Sequence, residues 1–192
     1  IVTGANTGIG FETTKALVAM GATVVMACRS PGRAKDARAL LLQTRVTDVT
    51  GGVTDVTGSV TGVIAASKLI VLPLDLCDFA SVRAFADSFT ALRLPLHGLI
   101  NNAGLMMSER SVTAAGLETV FTANHLSHFL LTNLLLPHLQ KGRVVTLSSS
   151  IHRLASRFDF DDVMSEQGFE LFRNYAQSKL ANILFTKELS RR

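Results

Sequence analysis

No stretch of this 192-residue sequence stays apolar for the roughly 18 residues that a bilayer crossing demands, so no membrane span is expected within it. Leu130 to Leu136 comes nearest, but the run is short and Thr132 and Asn133 interrupt it. Cysteine is scarce. Cys28 and Cys77 are the two present, in apolar settings and without a Cys-x-x-Cys pairing, which argues for small buried thiols over a disulfide frame or a thiolate metal site. That usage fits a reducing compartment without naming one. Long charged tracts are missing too, and 47% of the residues are apolar, so the chain is globular, with enough length for one domain and its core. A net charge of +4 suits a solvated basic surface or an anionic phosphate ligand, and it does not call for nucleic acid. No signal-peptide pattern is visible. The chain opens directly on Ile1-Val2-Thr3, so any anchor or signal, and any membrane association, would come from segments outside it.

Tyrosine occurs once, in Asn174-Tyr175-Ala176-Gln177-Ser178-Lys179. A Tyr and a Lys four residues apart on a helix project from one face, one turn above the other. An ammonium held beside a phenol favours the phenolate, and such a phenol can pass a proton to or from an alcohol or carbonyl oxygen. Alone, the pair would be an ordinary solvated helix face. Its weight comes from the company it keeps.

Ile1-Val2 reads as the end of a buried strand, followed by Thr3-Gly4-Ala5-Asn6-Thr7-Gly8-Ile9-Gly10. A helix is expected from Phe11 to Met20, closed by Gly21, and then a buried parallel strand over Thr23 to Cys28. Strand, glycine turn, helix and strand make a βαβ unit. Glycines let the chain turn sharply into the helix, and they let phosphate oxygens approach the free N–H groups at its positive end. The spacing is Gly-x-x-x-Gly-x-Gly, not the more familiar Gly-x-Gly-x-x-Gly.

Pro31 to Gln43 reads as a basic amphipathic helix. A near-repeat of Val-Thr-Asp-Val-Thr-Gly follows, an insert at about 44–66 in a connection that normally takes 2–6 residues. Leu69 to Leu72 is the third strand, and Asp78 is the expected N-cap of a helix from Phe79 to Leu92 with Val82, Phe85, Ala86 and Phe89 inward. Gly98-Leu99-Ile100 leads into Asn101-Asn102-Ala103-Gly104. In the next long helix Leu117, Val120 and Phe121 set an apolar stripe that continues onto Asn124 and His128, polar groups that must find partners inside. His125 and His128 without a third ligand do not make a metal site. Gly142 to Leu147 is a strand running into Ser148-Ser149-Ser150, at the strand end where open α/β sheets place ligands. Residues 151–172 read as irregular, partly acidic at Asp159, Asp161 and Asp162, and bordering the substrate.

The set Thr3-Gly-x-x-x-Gly8-x-Gly10, Asn101-Asn102-Ala103-Gly104, Ser149 and Tyr175-x-x-x-Lys179 resembles the short-chain dehydrogenase/reductase family. Ser178-Lys179-Leu180-Ala181-Asn182 and Ala123-Asn124-His125-Leu126 are similar to its retinol-dehydrogenase and WW-domain-oxidoreductase-like branch. The resemblance implies an α/β Rossmann-type fold, a doubly wound parallel sheet, over residues 1–192 as a single NAD(P)-binding domain. It also implies that further strands follow in a longer protein, so that this chain is a C-terminally truncated fragment. The activity implied is interconversion of an alcohol and an aldehyde or ketone, with a lipophilic retinoid, steroid or lipid carbonyl as substrate. Tyr175 would be the acid/base, Lys179 its partner on the nicotinamide ribose, Ser149 the donor to the substrate oxygen, and Asn124 the holder of a relay water. Gly4, Asn6, Thr7, Gly8, Ile9 and Gly10 would carry the cofactor phosphates, Asp75 and Leu76 the adenine, and Asn102, Ala103 and Gly104 the length of the cofactor. Arg29 and Ser30, where an acid would select NAD, favour NADP, with Arg33 as a helper. A homodimer fits the resemblance. Two other readings stay open: a regulatory or scaffold protein that binds NADP(H) without turnover, and a light-using enzyme of the protochlorophyllide-reductase kind.

Overall fold

A computed structural model describes residues 1–44, 64–139 and 141–192; most of the expected insert at 44–66 lies outside the described residues. The chain divides into two compact units, Ile1–Pro73 and Leu74–Arg192.

In the first unit β1 (Val2–Thr3), β2 (Val24–Cys28) and β3 (Leu69–Pro73) form a parallel sheet, with Val2 opposite Met26 and Val24 opposite Leu69. All five β2 residues are buried, as an unbroken apolar run covered on both faces should be. Helix α1 (Gly8–Ala19) begins three residues before the expected Phe11, inside the glycine turn. It ends where Gly21, at φ +87°, sends its N–H back to Val18 O (2.9 Å) while the Ala22 N–H reaches Leu17 O (3.0 Å). Helix α2 (Pro31–Gln43) starts on Pro31 with Ser30 as N-cap, and buries Ala34, Ala37 and Leu41. Arg38 ties it to the third strand, donating to Leu69 O and Ala66 O, each at 2.8 Å.

In the second unit β4 (Gly98–Asn101) and β5 (Arg143–Thr146) pair in parallel, Gly98 opposite Arg143 through Asn101 opposite Thr146. Helix α3 (Phe79–Ala91) is capped by Asp78, whose Oδ1 accepts from Ala80 N–H at 2.9 Å, and Val82, Phe85, Ala86 and Phe89 are its buried face. The long helix expected from the Leu117 stripe is not one α-helix. Helix α4 (Thr119–Phe121) opens it, a π-helical turn spans Thr122–Leu126, and α5 (Ser127–Leu135) completes it. Its start is Glu118, fully buried, whose carboxylate accepts from Val120 N–H (2.9 Å) and Phe121 N–H (2.6 Å). Helix α6 (Leu171–Leu189) begins the same way on Glu170, which accepts from Phe172 and Arg173 N–H.

Among the described residues five parallel strands alternating with helices, three in the first unit and two in the second, make this an α/β fold of the Rossmann type. No helix among the described residues is long and apolar enough to cross a membrane.

Candidate active site

Helix α6 sets Tyr175 and Lys179 one turn apart, with the Lys179 ammonium 5.5 Å from the Tyr175 ring centroid. Tyr175 is half-buried, whereas Lys179 is 4% exposed. Burial pushes Lys179 below the ordinary lysine range, because a charge removed from water is disfavoured. Its Nζ donates to Leu147 O at 3.3 Å, just past β5.

Asn124 and the same lysine both border Gly104. A Cβ built on Gly104 would lie 3.2 Å from Lys179 Nζ and 3.3 Å from Asn124 Oδ1, so glycine at this position lets the turn after β4 come this near. Asn124 is fully buried and its carboxamide is well used: Oδ1 accepts from Leu105 N–H (2.8 Å), and Nδ2 donates to Leu105 O (2.9 Å) and Ser178 Oγ (3.0 Å). Ser178 Oγ in turn donates to Tyr175 O at 2.7 Å. The π-helical turn that presents Asn124 is a device often found at functional sites, since its extra residue displaces a side chain from the regular helical path.

His128 donates from Nδ1 to Asn124 O (3.1 Å), and because a carbonyl only accepts, the proton sits on Nδ1. Burial brings its pKa from 6.5 down to about 4, with Lys179 and His125 pushing the same way. An unfolded chain would therefore take up this proton before the folded one. Stability from this group is complete above pH 6.5 and is expected to fall as pH drops toward about 4. Denaturant melts at stepped pH test this. His128→Asn should flatten the slope in that window, and an unchanged slope would exclude His128 as its source.

The three serines after β5 divide their work. Ser148 Oγ donates to Lys179 O at 2.9 Å and so clamps α6. Ser149 Oγ accepts from Ile151 N–H at 3.3 Å, opening the short 3-10 turn Ser150–Leu154. Its hydroxyl proton can still be given to another oxygen. Ser149 thus follows by two residues the carbonyl that Lys179 holds.

The first unit carries the glycine turn. Gly4 (φ +64°) and Gly8 (φ +52°) occupy left-handed backbone that other residues rarely adopt. Thr7 makes no side-chain cap, and Thr7, Gly8 and Ile9 are exposed, so the first N–H groups of a 12-residue helix open outward. That donor set fits the diphosphate of a dinucleotide. Gly4 N–H donates to Ala27 O (2.8 Å), and Ala5 and Asn6 N–H bond to the Cys28 sulfur, anchoring the turn to the end of β2. Arg29 is exposed just beyond it. Ser30 Oγ accepts from Arg33 N–H at 3.4 Å, so it also serves as a helix cap.

Asp75 closes its own turn, Oδ1 accepting from Cys77 N–H at 2.8 Å, and buried Leu76 accepts at its carbonyl from Ser127 Oγ at 2.6 Å. Asn102 N–H donates to Ile100 O (3.0 Å), which leaves Ala103 and Gly104 to complete the turn toward Asn124. Among the described residues no group of His, Cys, Asp or Glu is arranged to hold a metal.

Residues 1–70 and 59–192 match the family model described as short chain dehydrogenase. Over its full length the chain is 45% identical to retinol dehydrogenase 11 of Mus musculus and 43% identical to retinol dehydrogenase 12 of Homo sapiens. It spans 55% of the length of each. The crystal structure of an uncharacterized protein from Mycobacterium paratuberculosis superposes with a TM-score of 0.79 at 39% identity, covering 99% of this chain and 60% of that one. With a family model matched along the whole sequence, the chain belongs to the short chain dehydrogenase family.

Proposed function

We propose that this chain is part of an NADP-dependent oxidoreductase that interconverts an alcohol with an aldehyde or ketone. The observation that carries the reading is the buried Lys179 ammonium, set between the Tyr175 ring and the Gly104–Asn124 contact. A buried cation with no carboxylate partner among the described residues is costly, and a tyrosine that cycles through phenolate gives it a task.

When bound, a nicotinamide supplies the hydride acceptor or donor. The chain's own residues handle the proton and the geometry. Tyr175 takes the proton from the alcohol oxygen or returns it to the carbonyl oxygen. Lys179 stabilises the phenolate and hydrogen-bonds the nicotinamide ribose. Ser149 donates its hydroxyl proton to the reacting oxygen and so orients it. Asn124 fixes the turn at Leu105 and the register of the π-helical turn, and a relay water would be held beside Lys179. In the first unit the outward N–H groups of α1, with Gly4, Asn6, Thr7, Gly8, Ile9 and Gly10, are the seat for the diphosphate, and in the second unit Asp75 with Leu76 would border the adenine.

Arg29 is exposed at the end of β2, with no acid beside it in Cys28-Arg29-Ser30, which favours a 2′-phosphate. Arg29→Ala in the full-length protein should weaken NADP by about tenfold or more relative to NAD, by loss of a charge-assisted contact. Titrating both cofactors by fluorescence checks this; an unchanged ratio defeats the NADP assignment. The word retinol in both relatives' names supports a lipophilic alcohol or its carbonyl. A cofactor-consumption screen of the full-length protein over retinoids, steroids, and short and long aldehydes tests the activity, and silence on all of them would reject it.

A further inference from the structure

Leu147 O lies at the exit of β5 and accepts twice, from Lys179 Nζ at 3.3 Å and from Asn182 Nδ2 at 3.1 Å. Both lone pairs of that carbonyl are therefore used. Asn182 is 2% exposed and lies three residues beyond Lys179 on α6, so the two side chains leave one helix face together. With Nδ2 spent on Leu147, Asn182 turns Oδ1 to His125 Nδ1, 3.0 Å away. The reverse amide orientation would set oxygen against the Leu147 oxygen, so this one is fixed by its partners. A carboxamide oxygen only accepts. The His125 ring must therefore carry a proton on Nδ1. Burial lowers the His125 pKa, which keeps the ring in its neutral form, and Phe121, Phe129 and Phe185 contact it with centroids at 5.2, 6.3 and 6.1 Å.

We propose that His125 and Asn182 form a positioning pair that holds the Leu147 carbonyl, and with it Lys179 and the start of the Ser148–Ser150 segment, in working register. The proposal rests on the oxidoreductase reading above. His125 is the residue after Asn124 on the π-helical turn, Asn182 belongs to the helix of Tyr175 and Lys179, and Leu147 leads into Ser149. One chain of two hydrogen bonds thus joins the three segments that bear the four reacting side chains. Among the described residues Leu147 O is the acceptor that locates the Lys179 ammonium, so the position of that carbonyl decides where the ammonium sits.

The test begins without activity. In full-length protein labelled with 15N-histidine, long-range proton–nitrogen correlations should show His125 protonated on Nδ1 at neutral pH, and protonation on Nε2 alone would overturn the pair. His125→Phe keeps an aromatic ring among its neighbours and removes the donor; His125→Gln restores an N–H. With the cofactor KM within about twofold, His125→Phe is expected to lower kcat by about tenfold, the scale of an ångström-level misplacement, and His125→Gln to recover most of it. Asn182→Ala should match His125→Phe, and the double variant should be no worse than either, because one chain is cut at two points. A His125→Phe protein that melts like the parent and turns over at the parent rate would overturn the proposal. If His125→Phe does not fold, Asn182→Ala and the tautomer decide. A parent protein inactive on every carbonyl defeats the oxidoreductase reading instead, and the tautomer measurement still stands or falls alone.

Discussion

Tyr175→Phe in the full-length protein is expected to lower turnover by about three orders of magnitude or more while leaving cofactor affinity within about twofold. The substitution removes a single oxygen. The ring stays half-buried above Lys179, and no hydrogen bond of the phenol oxygen contributes to the fold among the described residues. Ser178 holds this stretch of α6 through the Tyr175 backbone carbonyl, which the substitution does not touch. Stability should therefore be nearly unchanged and the loss should fall on kcat. Steady-state rates with fluorescence titration of the cofactor separate the two effects. A variant that keeps more than about a tenth of the parent turnover would remove Tyr175 from the acid/base role, since positioned proton transfer alone is worth ~10²–10⁴-fold.

Asn124→Ala is expected to act on both stability and activity. Three hydrogen bonds disappear, to Leu105 N–H, Leu105 O and Ser178 Oγ, and the Leu105 backbone groups lose their partner in a half-buried place. Groups left unpaired there cost about 2–3 kcal/mol in all, after discounting for access of water to Leu105. Denaturant unfolding reads that loss directly. Turnover should fall further than unfolding explains at a temperature where the variant is folded, because the carboxamide and the Lys179 ammonium both border Gly104. Ser178→Ala, which removes only one of the three bonds, should show a smaller loss of stability. Were the two variants equally stable, the clamp on Leu105 would not be the main contribution of Asn124.

Much of the architecture could be read from residue order because the deciding interactions are local. The β2 run Val24–Cys28 opens on two β-branched valines and is apolar without interruption, and its neighbours bury both faces. The Val82, Phe85, Ala86 and Phe89 stripe follows a capping aspartate at the right distance. Tyr175 and Lys179 are four residues apart, so any helix brings them to one face. The π-helical turn could not be read this way. Asn124 and His128 continue an apolar stripe at a spacing of four, and side-chain pattern does not record whether N–H groups reach back four residues or five. Glu118 escaped for another reason. A glutamate reads as solvated, and its longer side chain makes it an unusual N-cap, yet it is fully buried and bonded to two backbone N–H groups. The start of α1 at Gly8 was hidden because glycine in sequence marks a turn, while here the turn's last residues are already the helix's first. The bond between Asn182 and His125 carried no sequence mark, since it spans 57 positions.

The π-helical turn at Thr122–Leu126 has one more consequence, for how this stretch can change over time. It is a counting device. Deleting Leu126 would restore ordinary winding and rotate everything before it by about 100° relative to α5, since each helical residue advances the chain by that angle. Asn124 would swing off Leu105 and His125 off Asn182 in a single event, although no chemistry had been altered. The length of the turn is thus held as firmly as the side chains of Asn124 and His125 that it carries.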